Sequence, residues 1–252
     1  MQMQSSTIFI TGGTSGIGKG LAEAFQKLGN QVIISGRRTD RLQAICNANP
    51  GMRQFPLDVR DPNAVLEVAH KLTKEFPRLN CVINNASIQN MLSIDGRSLL
   101  DEEAMSDEIN TNLMSVLRVS AAFLPHLKTQ RNASLVNITS GLAYVPIARY
   151  PLYCATKAAV HSLTLSMQHQ LKDSGIKVIE LIPPYVDTEL GGPAKKAAAN
   201  AGPQPMPLGT FIAEAMKELA GGADEVAVGD AKTLVGASNL ETVRNIFSGM
   251  NR

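Results

Sequence analysis

The chain contains no tryptophan, and aromatic residues make up only 4% of its 252 positions. Bulk in the interior must therefore come from Ala, Val, Ile and Leu, the side chains of tightly packed helices on a buried sheet. Cysteine is scarce. Cys46, Cys81 and Cys154 are odd in number and widely spaced, which excludes a disulfide framework and a cysteine-based zinc site. The four histidines (70, 126, 161 and 169) form no metal-ligand motif, so no metal is expected. No block of Lys or Arg occurs and the formal net charge is only +2, so a nucleic-acid partner is not expected. No apolar run is long enough to span a bilayer. Met1-Gln-Met-Gln leads straight into Ser5-Ser-Thr-Ile-Phe-Ile without a charged and then apolar leader, and a cytoplasmic location is expected. What remains is the 44% hydrophobic and 18% charged composition of a folded globular chain. Its length suits one domain over residues 1–252.

Along the chain, short β-branched runs alternate with helical spacing. Thr7–Thr11, Gln31–Ser35, Arg53–Val59, Asn80–Asn84, Ser134–Thr139 and Lys177–Ile182 read as strands, with Asp224–Val228 as a possible last one. Helices are expected over Lys19–Leu28, about Asp40–Asn47, and Asn63–Phe76. Strands apolar on both faces belong to a parallel sheet covered by helices on each side. The alternation predicts a doubly wound α/β fold of about seven strands. Gly191–Leu208 is rich in Gly and Pro, and a mobile substrate loop is expected near 191–208.

Two local patterns carry chemistry. Thr11-Gly12-Gly13-Thr14-Ser15-Gly16-Ile17-Gly18 joins the first strand to the first helix. Glycines there let the backbone approach a pyrophosphate at a helix N-terminus. Lys19 is followed by Gly20 rather than Ser or Thr, so a nucleoside-triphosphate P-loop is excluded. Farther on, Tyr153 and Lys157 lie four apart and share one helix face. A phenol ionises near pH 10, too high for acid–base work, and a neighbouring cation would draw it down. Ser140 lies thirteen positions before Tyr153. Thr139 beside it is an alternative hydroxyl.

Thr-Gly-x-x-x-Gly-x-Gly, Asn84-Asn85-Ala86, a serine and Tyr-x-x-x-Lys, in this order, resemble the short-chain dehydrogenase/reductase family from about residue 7 to 188. The stretch Ile182-Pro-Pro-Tyr-Val-Asp-Thr-Glu and the later Pro205-Met-Pro-Leu resemble its DltE-like, NADP-dependent oxidoreductases. The resemblance implies a Rossmann-type fold and four catalytic positions. Tyr153 would be the general acid/base, and Lys157 would hold the nicotinamide ribose and lower the tyrosine pKa. Ser140 would hydrogen-bond the substrate oxygen. Asn112, with Asn110 as its competitor, would hold a water linking Lys157 to solvent. It also implies cofactor contacts from Gly12, Thr14, Ser15, Gly16, Ile17, Gly18, Asp58, Val59, Asn85, Ala86, Tyr153, Lys157, Pro183, Val186 and Thr188. Asn84 and Asn85 also have a bland reading, as amides tying adjacent strands.

Cofactor choice rests on the end of the second strand. Gly36 stands where a ribose-binding acid would sit, and Arg37 and Arg38 follow. With no carboxylate to repel it, a 2′-phosphate can take charge-assisted bonds, from Arg37 in particular. NADP(H) is therefore expected over NAD(H). Ser87 and Pro184 depart from the family's usual glycines without removing a catalytic group. Cys154 has nothing nearby to activate it and reads as lining. The expected function is NADPH-dependent reduction of a ketone or aldehyde. Two others compete: a catalytically idle nucleotide sensor, which would not need all three of Ser140, Tyr153 and Lys157, and a sugar-nucleotide epimerase. The roughly sixty residues after Thr188 are too few for an epimerase's usual substrate domain. The resemblance further implies a homotetramer or homodimer.

Overall fold

The computed structural model describes residues 1–96, 99–192, 204–237 and 239–251. Seven parallel strands form one sheet in the order β3-β2-β1-β4-β5-β6-β7. They are β1 (Thr7–Ile10), β2 (Gln31–Gly36), β3 (Arg53–Pro56), β4 (Leu79–Asn84), β5 (Ser134–Ile138), β6 (Lys177–Ile182) and β7 (Glu225–Ala227). The expected fold is therefore the observed one. The strands β1, β3, β5 and β7 stop one or more residues short of their expected C-terminal limits, with Thr11, Val59 and Thr139 turning out of the ladder into loops, while β2 runs one residue past its expected end.

Burial explains the apolar runs. In β4 and β5 every residue is buried, because helices cover both faces of the central strands. One face packs Ile8, Ile10, Ile34, Ile83, Val136 and Ile179 under α1 (Gly16–Lys27). The other packs Phe9, Ile33, Val82 and Leu135 under α3 (Pro62–Glu75) and α5 (Ser115–Leu127). The helix α1 starts at Gly16, inside the glycine loop and earlier than the expected Lys19. Helical amides therefore begin within the loop itself.

The strand order reverses between β1 and β4, where parallel doubly wound sheets open a crevice for ligands. Beside that crevice, β4 and β5 exchange a polar contact in the core. Asn84 and Asn137 are register partners, and Asn84 donates to Asn137 Oδ1 at 2.9 Å and to Ser120 at 3.1 Å. Asn137 passes the chain on to Thr164 at 2.9 Å. Asn84 thus takes the strand-tying role. Replacing Asn137 by alanine opens a cavity and strips two buried amide contacts, which costs about 2–3 kcal/mol. Thermal unfolding should show a midpoint lower by roughly 4–10 °C.

Candidate active site

The crevice is walled by segments that leave the C-terminal ends of β1, β2, β4, β5 and β6. After β1, Gly12 takes φ +67° and Gly16 φ +52°, values that glycine adopts without strain. Close packing also demands glycine here. A Cβ on Gly12 would lie 2.8 Å from the Ala86 backbone, and one on Gly18 would lie 2.5 Å from the Gly12 carbonyl oxygen. Asn85 ties the layers together, donating from Nδ2 to Thr11 O at 2.8 Å and Gly12 O at 3.0 Å. The amides of Asn85 and Ala86 both donate to Thr11 Oγ1. Ser15 precedes α1 without capping it through its side chain, and the first turn carries no acid. Its free amides and positive dipole end favour an anion. A bare loop, tight backbone packing and an uncapped helix end fit the pyrophosphate of a dinucleotide. Gly18→Ala forces the Gly12 carbonyl to move, and cofactor affinity by calorimetry should fall about tenfold or more.

At the end of β2, Gly36 has no room for a side chain, since a Cβ there would meet Thr14 Cγ2 at 2.8 Å. The ribose acid is thus absent because Thr14 fills its space. Arg38, rather than the favoured Arg37, lies on the glycine loop. Its Nη2 donates to Thr14 Oγ1 at 2.8 Å and Ser15 Oγ at 3.0 Å. Arg37 is exposed and lies near enough to Asp58 to help lower its pKa. Asp58, expected to meet adenine, is already engaged by Arg60 through a two-pronged guanidinium contact of 2.7–3.1 Å. Those bonds hold its carboxyl below the usual range. Val59 beside it is buried, and Ile17 packs on the core.

After β5, Ser140 and Lys157 come together. Ser140 begins a short 3₁₀ turn (Gly141–Ala143) and accepts from the Leu142 amide at 3.1 Å. The turn is anchored by Gly141 N donating to Pro183 O at 3.0 Å. Thr139, the alternative hydroxyl, faces away and donates to Glu180 Oε1 at 2.6 Å. Glu180 is buried and paired with His161 at 2.8 Å, whose ring nitrogen also meets Tyr144 OH at 3.0 Å. This cluster braces the strand end that carries Ser140. The helix α6 (Pro151–Leu171) brings Tyr153 and Lys157 inward, both buried.

Lys157 does not draw the Tyr153 phenol down in the way the sequence suggests. Its Nζ donates to Ile138 O at 2.8 Å and lies 5.7 Å from the Tyr153 ring centroid. Burial pushes the Tyr153 hydroxyl above its ordinary range, and the hydrogen bond with Ser140 opposes that rise. Burial also lowers Lys157 to about 8. Desolvation dominates both groups because neither reaches water.

Asn112 lies in a π-helical segment (Asn110–Met114) between α4 (Glu102–Ile109) and α5, an irregularity common at functional sites. Its Oδ1 accepts from Ile88 N at 2.8 Å and Ser87 Oγ at 3.0 Å. Its Nδ2 donates to Ile88 O at 2.8 Å and Thr156 Oγ1 at 3.2 Å. Four bonds saturate the side-chain amide, which fastens loop to helix. Asn110 accepts instead from Arg118 and donates to Ser106, outside the crevice.

The last wall follows β6. Pro183 and Val186 are buried there, and Val186 bridges to Met206. Thr188 packs over Gly16, where a Cβ would approach to 3.3 Å. Residues 193–203 of the expected substrate loop lie outside the described residues. Its described end returns to the site, with Met206 N donating to Tyr185 O at 2.8 Å and Asp187 N to Met206 O at 2.9 Å.

An apolar opening of about 1100 Å³ lies between Met91–Asp95, Pro146–Arg149 and Phe247, with Cys154 in its wall. Tyr153 does not line it, because Leu142, Ile147 and Leu190 pack around the tyrosine pair Tyr150 and Tyr153. Sequence reasoning missed Glu108. It is buried on α4 with its pKa raised by burial, accepts from Asn90, and adds a small upward push on Tyr153. Spacing gave no signal for it, since a Glu amid Asp107 and Ile109 reads as solvated surface.

A family model described as short chain dehydrogenase matches residues 6–199. Oxidoreductase DltE of Bacillus subtilis (strain 168), itself of uncharacterised activity, is 44% identical over 191 residues, which is 75% of each chain. The chain belongs to the short-chain dehydrogenase family. Within this oxidoreductase family it stands close to DltE, as the Ile182–Glu189 stretch suggests. A short-chain dehydrogenase of Burkholderia cenocepacia J2315, solved in complex with NADP, shares the fold with a TM-score of 0.83 over 99% of both chains at 24% identity. An alcohol dehydrogenase of Thermococcus sibiricus, solved with 5-hydroxy-NADP, is 26% identical with a TM-score of 0.76 over 88% of this chain and 95% of its own. Among the described residues no helix is long and apolar enough to cross a membrane, and no cluster of His, Cys, Asp and Glu could hold a metal.

Proposed function

We propose that this short-chain dehydrogenase reduces a ketone or aldehyde with NADPH, reversibly, and that Tyr153 moves the proton. The observation that carries this is the burial of Ser140, Tyr153 and Lys157 together, with Ser140 near enough to the phenol to oppose its pKa rise, beside a glycine loop shaped for pyrophosphate. Gly12–Gly18, Asn85, Ala86, Pro183, Val186 and Thr188 would hold the cofactor, with Arg38 on the 2′-phosphate side. Bound there, the nicotinamide supplies the hydride.

The chain's own residues supply the rest. Ser140 orients the carbonyl oxygen by a hydrogen bond. Tyr153 is kept protonated by burial, the state a general acid needs for reduction. Lys157 anchors to Ile138 O and is poised by burial to exchange a proton near neutral pH. Loop contacts through Asn112 hold Ser87 and Ile88 against the cofactor side. The apolar opening beside Leu142, Pro146 and Ile147 favours a hydrophobic carbonyl compound. Leu117 on α5 and Leu165 on α6 are exposed apolar side chains, which supports pairing of these helices between copies in a dimer or tetramer. A cytoplasmic location completes the proposal.

The test is NADPH oxidation measured against a panel of ketones and aldehydes, with Tyr153→Phe as control. Turnover lost in the variant supports the assignment. Tight NADPH binding with no turnover on any carbonyl would favour a nucleotide sensor instead.

A further inference from the structure

Three consecutive residues after β6 cross the cofactor crevice, and each touches a different part of it. Thr188 packs over Gly16 of the glycine loop. Leu190 packs against the Tyr150–Tyr153 cluster. Between them, Glu189 reaches to the far side. Its carboxylate accepts from Arg41 Nη1 at 2.9 and 2.7 Å, and from Arg38 Nη1 at 3.2 Å. These partners lie 148 and 151 positions away in sequence. The two arginines hold the Glu189 carboxyl below the usual range.

Beside this contact lies an opening of about 380 Å³, bordered by Thr14, Ser15, Gly16, Lys19, Arg41 and Glu189. Its chemistry is that of an anion site: one guanidinium group, one ammonium, two hydroxyls and the start of a helix, with the Arg38 guanidinium beside it on Thr14, Ser15 and Glu189. Among the described residues the only carboxylate on its border is Glu189. Arg38 does not depend on that carboxylate for its position, since Thr14 and Ser15 hold its other nitrogen. Releasing Glu189 would therefore leave the guanidinium in place with donors free. A phosphate carries the same charge sign as the carboxylate it would displace and likewise accepts two-pronged guanidinium bonds.

We propose that Glu189 is a built-in competitor for the phosphate that Arg38 and Arg41 are placed to bind, and that it sets how strongly the chain discriminates NADP(H) from NAD(H). The inference rests on the dinucleotide reading given above. A 2′-phosphorylated ligand takes the arginines and Glu189 swings away. NAD(H) has nothing to exchange for the carboxylate and leaves the latch closed. The cost of opening is thus charged only to the phosphorylated cofactor, which lowers its affinity below what the two arginines alone would give. Lys19 is partly occupied by Glu23 at 3.7 Å, so the arginines dominate the exchange.

The experiment is calorimetric titration of adenosine 2′,5′-bisphosphate, NADP⁺ and NAD⁺ into the wild-type chain, Glu189→Gln and Arg41→Met. Because the ion pair is solvent-exposed, Glu189→Gln should tighten the bisphosphate and NADP⁺ by about three- to tenfold at low salt, and less at high salt. NAD⁺ affinity should stay within about twofold, and Arg41→Met should weaken NADP⁺. Glu189 is exposed, so the amide variant keeps the fold, and an unchanged unfolding midpoint checks this. NADP⁺ binding that Glu189→Gln leaves unchanged or weakens overturns the competitor role while leaving the dinucleotide reading intact. Binding of neither dinucleotide by either chain overturns both.

Discussion

Tyr153→Phe should lower carbonyl turnover by roughly a thousandfold while leaving NADPH affinity nearly unchanged. The phenol is buried and lies near enough to Ser140 for the serine to oppose its pKa rise. Phenylalanine keeps the ring that packs with Tyr150, Cys154, Leu142, Ile147 and Leu190, so the fold survives the change. Only the proton donor is lost. Single-turnover measurement of NADPH oxidation separates this from a binding defect, since the loss must appear in the chemical step. A Tyr153→Phe enzyme with wild-type turnover would remove Tyr153 as the acid.

The second large effect has opposite signs in activity and stability. Lys157→Met should cut turnover by about a hundredfold or more, because the proposed mechanism assigns this ammonium both proton exchange and the ribose contact. The same change should raise stability at pH 7. Burial lowers Lys157 from its ordinary 10.5 to about 8. Between these values the native chain binds fewer protons than the unfolded chain, so wild-type stability rises with pH across this window. Below about pH 8 the full cost of burying the ammonium is present, on the order of 3 kcal/mol for such a shift. Methionine removes that cost but leaves Ile138 O without its donor, which returns about 1 kcal/mol. A net gain of roughly 1–2 kcal/mol should raise the unfolding midpoint by several degrees at pH 7. The advantage should shrink as pH climbs from 8 to 10.5. A variant less stable than wild type at pH 7 would show that Lys157 is held by favourable contacts that outweigh its desolvation.

Both tyrosine and lysine carry pKa values set by burial rather than by each other. A buried ammonium retained at a net cost to the fold is the mark of a functional group, since a core position would be more stable without it.

Much of this was legible in the sequence because it is local or ordered. The strand runs, the glycine loop and the Tyr-x-x-x-Lys pair each lie within a few residues, and backbone periodicity alone places them. Even β7, read only as a possible strand, forms at Glu225–Ala227. Direction was harder. Arg37 and Arg38 are neighbours at a helix start, and their spacing does not tell which one turns onto the loop to meet Thr14 and Ser15. Asn112 was legible as the buried amide of its pair, but its saturation by Ile88, Ser87 and Thr156 depends on a π-helical turn that no apolar spacing announces. Long-range charge was not legible at all. Glu189 meets Arg41 from 148 positions away, and Glu180 meets His161 across a helix–strand interface. Each of these reads along the chain as an ordinary surface charge.

The central claim is that hydride passes between nicotinamide C4 and a carbonyl carbon held by Ser140 and Tyr153. Its most direct test uses NADPH deuterated at C4, one face at a time, with each carbonyl that supports NADPH oxidation, and mass spectrometry of the alcohol formed. One of the two labelled faces should deliver a single deuterium to the carbinol carbon, and the other should deliver none. NADPH consumption with no deuterium in the alcohol from either face would contradict the account.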